Sequence, residues 1–391
     1  NNTTTTTTTT SSSSMGSYLT ESQGLYTRSF LLCRSEYGSH HPYTLSCQNN
    51  LGTVHLEQSN YALAEELYRA ALKGYRTLKE EKQQDIAETS STASTTSTTT
   101  TSTTNPPFDP EAMMDCIHNL ANVMQIRSPP DLKTAEELHR EVLQYGRMKK
   151  YNNNNDDDTK KKTNTLLSVH NLAVNILLQY QRAQKEKKTK NQKTKFFESD
   201  IDRLNEAEEL AREAYYGHTE ILGEKHPHTL SSQINLANVL VQRVTVTSGP
   251  EFLAEAETLN RAVLEYRTEQ LGHNHAQTVV AMHNLAKVYQ TQRQYARAEV
   301  LYRRALDAMT QQQQHDSSSS SSQNNSKYDH KSGDLHFHTM VCASKLSVME
   351  ILNRQDFNKS TEFMCTALKA EKAYYEKEER HRKETAKQLL L

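Results

Sequence analysis

Apolar residues along this chain recur at intervals of three and four, in stretches separated by short polar breaks. From Thr278 the apolar positions are Val279, Met282, Leu285, Ala286, Val288 and Tyr289, a single stripe on one helix. A polar break follows at Gln290 to Gln294. Then Tyr295, Ala298, Leu301, Tyr302, Ala305, Leu306 and Met309 mark a second helix. So short a break leaves room only for an antiparallel helix hairpin. Ala286 and Ala298 fall where the two helices cross, and a larger side chain there would hold the backbones apart.

The same layout returns along the chain. Leu51, Gly52, Tyr61, Ala64, Tyr68 and Ala71 match Leu285, Ala286, Tyr295, Ala298, Tyr302 and Ala305 residue for residue. The phrase Asn-Leu followed by a small residue begins at Asn50, Asn119, Asn171, Asn235 and Asn284. Each copy is followed by an Ala-Glu pair, at Ala64, Ala135, Ala207, Ala256 and Ala298. Paired phrases repeated at tens of residues specify a solenoid, in which each unit packs on its neighbours. Helix pairs are expected at about 43–78, 110–148, 164–222, 228–271, 276–310 and, in degenerate form, 334–377. Residues 17–38 read as a lone second helix.

The alternation of small residues and tyrosines resembles the tetratricopeptide repeat. The connectors resemble the kinesin-light-chain type of that repeat: Leu222-Gly223-Glu224-Lys225-His226-Pro227, Tyr37-Gly38-Ser39-His40-His41-Pro42 and, with Ala for Pro, Leu271-Gly272-His273-Asn274-His275-Ala276. The resemblance covers residues 17–377 apart from insertions, and implies an all-α, right-handed solenoid of antiparallel helix pairs. The chain departs from the family in three respects. Ser59 and Arg293 stand where a glycine usually joins the two helices of a repeat. Low-complexity inserts interrupt the array at about 79–108, 149–163, 181–199 and 311–333. No heptad coiled coil precedes the repeats, which argues against a complete motor light chain.

Composition explains the inserts. The hydrophobic fraction is 35% and Trp is absent, and much of the deficit lies in tracts such as Thr3 to Thr10 and Thr89 to Thr104. Such tracts bury too little apolar surface to offset chain entropy and are expected to be disordered, as is the tail 1–16. Long surface loops cost little in closure entropy, so a solenoid accommodates them. A charged extension, 378–391, follows the last pair.

Net charge is −1, which gives no global attraction to nucleic acid or an anionic membrane. The five cysteines, Cys33, Cys47, Cys116, Cys342 and Cys365, are odd in number and lack metal-binding spacing. They read as reduced thiols in a cytoplasmic protein, with Cys47, Cys116 and Cys342 as small helix residues. No apolar run approaches a membrane span. The N-terminal stretch is polar and reads as no signal peptide, and the first Met is Met15, which fits a fragment of a longer product.

In tetratricopeptide arrays the first helices of successive repeats line a concave groove. The resemblance implies that Asn50, Asn119, Asn171, Asn235 and Asn284 point into it. An amide donates and accepts at once, so a row of amides can hold an extended peptide backbone. The competing role is to bond neighbouring helices and fix repeat stacking. Three of these residues follow a histidine, His118, His170 or His283, which could meet acidic peptide groups or serve only as packing. Asn122, Asn238 and Lys287, one turn on, would tune specificity. A chaperone-tail receptor would need a basic cluster, and Lys287 stands nearly alone among the inward positions. The His-Pro pairs read as turns opening a helix, not as metal ligands. The Lys-rich stretch from Lys185 to Lys195 reads as a solvated loop, without aromatics for base stacking.

No phosphate loop, GxSxG or HExxH motif occurs. The reading is therefore a non-enzymatic scaffold or cargo adaptor that binds peptide segments, with no cofactor, nucleic acid or membrane partner. Its oligomeric state leaves no mark in the sequence. The alternative is the regulatory repeat region of a larger enzyme or signalling protein.

Overall fold

Each stripe of apolar positions becomes a helix in the computed structural model, which describes residues 12–91, 108–152, 159–189, 198–247, 249–319, 341–347, 360, 362–370 and 372. The helices are α1 (Ser12–Tyr37), α2 (Pro42–Glu57), α3 (Tyr61–Ser91), α4 (Pro110–Ile126), α5 (Leu132–Asn152) and α6 (Thr159–Thr189). They continue with α7 (Glu198–Leu222), α8 (Pro227–Val244), α9 (Pro250–Leu271), α10 (Ala276–Thr291) and α11 (Tyr295–Ser319). No strand occurs among the described residues. From α1 to α5, and again from α6 to α11, consecutive helices pack against one another, the all-α solenoid architecture that the periodicity predicts.

The expected tail 1–16 lies outside the described residues up to position 11, and the extension 378–391 lies outside them entirely. The inserts are shorter than the pattern implies at several ends. Where a loop is expected from 79, α3 stays helical to Ser91; where one is expected from 181, α6 continues to Thr189. α11 likewise runs past 311 to Ser319. The continuations begin with good helix formers, Lys79 to Gln84 and Gln311 to Gln314, which extend a helix already nucleated by packing.

The chain divides into two units, α1 to α5 and α6 onwards. In the first, α2 to α5 enclose Leu45, Tyr68, Tyr75, Ile117, Leu120 and Met124. In the second, the α10–α11 core, built on Leu285, Ala286, Ala298 and Tyr302, also takes in Cys342, Ala343, Leu346 and Ala367. The degenerate pair thus keeps its packing residues on the helical segments 341–347 and 362–370.

The connectors show why their sequence recurs. Gly38, Gly223 and Gly272 take φ of 89°, 85° and 82°, the left-handed geometry that ends a helix and that other residues adopt only at a cost. His41, His226 and His275 then cap the next helix, each accepting a backbone N–H at 3.2 Å through Nδ1. Pro42 and Pro227 open α2 and α8, where a missing N–H costs nothing. Thr44 and Thr229 close the turn by donating to the carbonyls of Gly38 and Gly223, both at 2.8 Å. The histidine is therefore a cap as well as a spacer, a role that the His-Pro reading alone did not contain.

Candidate binding face

The row of first helices is where the Asn phrases lie. Within each unit these helices meet one another: α2 touches α4, α6 touches α8, and α8 touches α10. Second helices do not approach one another in this way, whether α3 and α5 or α7 and α9. They are joined instead by long ion pairs, Arg76 to Glu141 at 3.1 Å and Arg212 to Glu255 at 2.7 Å. Short side chains span the gap between first helices: Asn119 Nδ2 donates to Asn49 Oδ1 at 3.3 Å, and Ser232 Oγ lies 3.1 Å from His170 Nδ1. Closer spacing on one side than on the other makes the first-helix side the inner, concave one within each unit.

The five asparagines do not share one environment. Asn50 is exposed on α2. Asn119 is half-buried and bonded to Asn49, so on α4 the amide fixes stacking. Asn171 and Asn284 are half-buried on α6 and α10. Asn235, on α8, is 5% exposed, and its amide nitrogen is enclosed without a hydrogen-bond partner. Asn122 and Asn238, one turn later, are half-buried.

Each histidine has a protein neighbour. The His118 ring stands edge-on to buried His139 at 5.7 Å, and burial pushes its pKa down to about 4. His283 meets the Tyr302 ring edge-on at 5.7 Å. His170 shares Ser232 with buried His218, whose Nδ1 lies 2.9 Å from the same hydroxyl. Burial, reinforced by the neighbouring His228 and His226, pushes His218 down to about 4. His118 and His218 therefore stay neutral at pH 7, and all four rings belong to the packing between helices. Ser232 and Asn49 are the contacts that sequence reasoning missed. The available signal was position, since Asn49 stands where His118, His170 and His283 stand in their repeats.

Lys287 is half-buried on α10, and burial, with the nearby Lys345 ammonium, lowers its pKa. Lys345 occupies the place of the ladder Asn in the degenerate pair, so two cations adjoin at that end. An anionic group is the complement that would relieve both the burial and the repulsion. Among the described residues no cluster of His, Cys, Asp and Glu could hold a metal ion, and no helix is long and apolar enough to cross a membrane.

Comparison with known proteins bears on the same helices. The tetratricopeptide-repeat family matches residues 16–77 and 251–311, and a second description of that repeat matches residues 197–228. No curated protein matches. Among solved structures, BtubC (BKLC) from P. vanneervenii is similar at 14% identity over 91% of each chain, with a TM-score of 0.35. The nearly identical TPR-like repeats of a Podosopora anserina putative kinesin light chain are 19% identical over 70% of this chain and 98% of their own, TM-score 0.41. The apo form of RapI is 11% identical over 83% of this chain and 96% of its own, TM-score 0.41.

Proposed function

Since this chain is a tetratricopeptide-repeat protein, we propose that it is a protein-interaction scaffold, a cargo adaptor that holds extended peptide segments against its first helices. One observation carries the reading: within each unit, short side chains join first helices while long ion pairs join second helices. That makes the first-helix side concave, and it is the side that carries the amide row. Of the proposed rungs, Asn50, Asn171 and Asn284 have exposed or half-exposed side chains, and Asn238 supplements enclosed Asn235 on α8. Asn119 and the three histidines serve the stacking that keeps the row in line. Lys287 gives the α10 end a preference for acidic segments. The role is binding and not catalysis, and the setting is the cytoplasm, a reading supported by five free cysteines.

Selection from a random-peptide display library, followed by titration of the selected peptides, tests this. Replacing both Asn238 and Asn284 with Ala removes two hydrogen-bonding rungs, each contributing about 0.5–1.5 kcal/mol. Affinity is expected to fall roughly 5- to 150-fold while the circular dichroism melt is unchanged. Peptides that bind the folded double variant as tightly as wild type would overturn the assignment of this face.

A further inference from the structure

The five thiols are not equally placed. Cys116 and Cys342 are fully buried, and burial pushes both up to about 12, which keeps them inert. Cys365 is exposed on the segment 362–370. Cys33, on α1, and Cys47, on α2, are both half-buried, and their sulfurs lie 3.7 Å apart. The α1–α2 turn brings together two thiols 14 positions apart in the chain.

We propose that Cys33 and Cys47 are a redox-sensitive pair that closes into an intramolecular disulfide and so fastens α1 to α2. The need for a fastener is visible in α1 itself. Its outer face carries Tyr18, Leu25, Leu31 and Leu32 in exposed positions, and α2 is the one helix it packs against among the described residues. A helix held on one side can shift by the small distance that separates a sulfur contact from a bond of about 2.0 Å. The closed loop removes freedom from the frayed and unfolded ensembles, and that is how such a bond stabilises a terminal element.

The oxidant is a low-molecular-weight disulfide of the glutathione class. Cys33 thiolate attacks one of its sulfurs, a mixed disulfide forms, and one glutathione thiolate leaves. Cys47 thiolate then attacks the Cys33 sulfur, and the second glutathione thiolate leaves. Two protein thiols lose two electrons and two protons; the oxidant gains both, becoming two glutathione molecules. Cys47 is the resolving partner, because burial and the Cys33 contact push its thiol up to about 11. Cys47 therefore rests as a thiol at neutral pH until the mixed disulfide on Cys33 is presented to it.

The test uses the full chain, equilibrated in reduced and oxidised glutathione, alkylated, and cut with trypsin. Cleavage after Arg34 places the two thiols in different peptides. A Cys33–Cys47 cross-linked peptide is expected, with a glutathione adduct on Cys365 as the reactive control. Cys47→Ser is expected to trap a glutathione adduct on Cys33. Hydrogen exchange over residues 18–37 should slow on the order of tenfold or more on oxidation of wild type, and not in Cys33→Ser. The proposal falls if Cys33 and Cys47 both remain open to alkylation once Cys365 is modified. It falls equally if the mixed disulfide on Cys33 accumulates in wild type without closing, or if oxidation leaves exchange in α1 unchanged.

Discussion

Tyr68 and Tyr302 hold the same place in two repeats, α2–α3 and α10–α11, and both are fully buried. Their surroundings differ first at the small residue against the ring. In the first repeat the small residue is Gly52, and a Cβ there would stand 2.7 Å from Tyr68 Cε1. The ring thus occupies the volume that the Ala286 methyl takes in the other repeat. The hydroxyl partners differ as well: Tyr68 donates to Thr53 Oγ1 at 3.0 Å, where the other repeat has Lys287, and Tyr302 reaches Gln290 Oε1 at 3.5 Å, where the first has Leu56. The two repeats thus fill the crossing in different ways, with the Tyr68 ring against Gly52 in one and a methyl on Ala286 in the other.

The largest test of this comparison is to exchange the small residues. Gly52→Ala gains helix propensity but drives a methyl into the Tyr68 ring. The net cost is expected at about 1–2 kcal/mol, read from hydrogen exchange of α2 and α3. Ala286→Gly is expected to lose roughly 1 kcal/mol in its own repeat, from propensity and a small void. Destabilisation in both directions would show that each small residue is fitted to its own ring. A neutral Gly52→Ala would sink the argument.

Removing the hydroxyls tests the divergence more finely. Tyr68→Phe forfeits a well-formed bond and should cost about 1 kcal/mol in denaturant melts, with Tyr302→Phe costing about half that or less. Equal costs would mean that the two rings are held alike.

The smallest effect concerns what the two repeats share. Ser59 and Arg293 have φ of 56° and 61°, the left-handed turn in which the family places glycine. In each, a backbone N–H reaches back over the turn, Asn60 to His55 and Gln294 to Tyr289, both at 2.8 Å. The turn is thus kept without the residue that makes it easy. Relief of about 1–2 kcal/mol of strain, offset by about 0.4–1 of added chain entropy, predicts a gain near 0.5 kcal/mol for Ser59→Gly and for Arg293→Gly. Thermal midpoints that fall instead of rising would refute it.

Much of the helix pairing was legible because its signals are local. Leu285, Ala286 and Ala298 announce a crossing, and Gly223 with His226 and Pro227 announces a connector, each through residues a few positions apart. The candidate site was less legible. Asn119 and Asn284 stand in the same phrase, yet one is tied to Asn49 and the other is half open. By position His118, His170 and His283 could equally face the groove or serve only as packing. Their rings engage His139, Ser232 and Tyr302, partners supplied by other helices. Nothing in the spacing of a phrase specifies what the neighbouring repeat presents to it.

The sequence by itself determined where helices form, how they pair, and which small and aromatic residues meet at each crossing, because helical periodicity and turn chemistry act over a few residues. Only the tertiary structure decided which amides remain open, which histidines are absorbed into packing, and that Cys33 meets Cys47. Those outcomes depend on the approach of helices distant in the chain, which the burial of whole faces sets and no local pattern records.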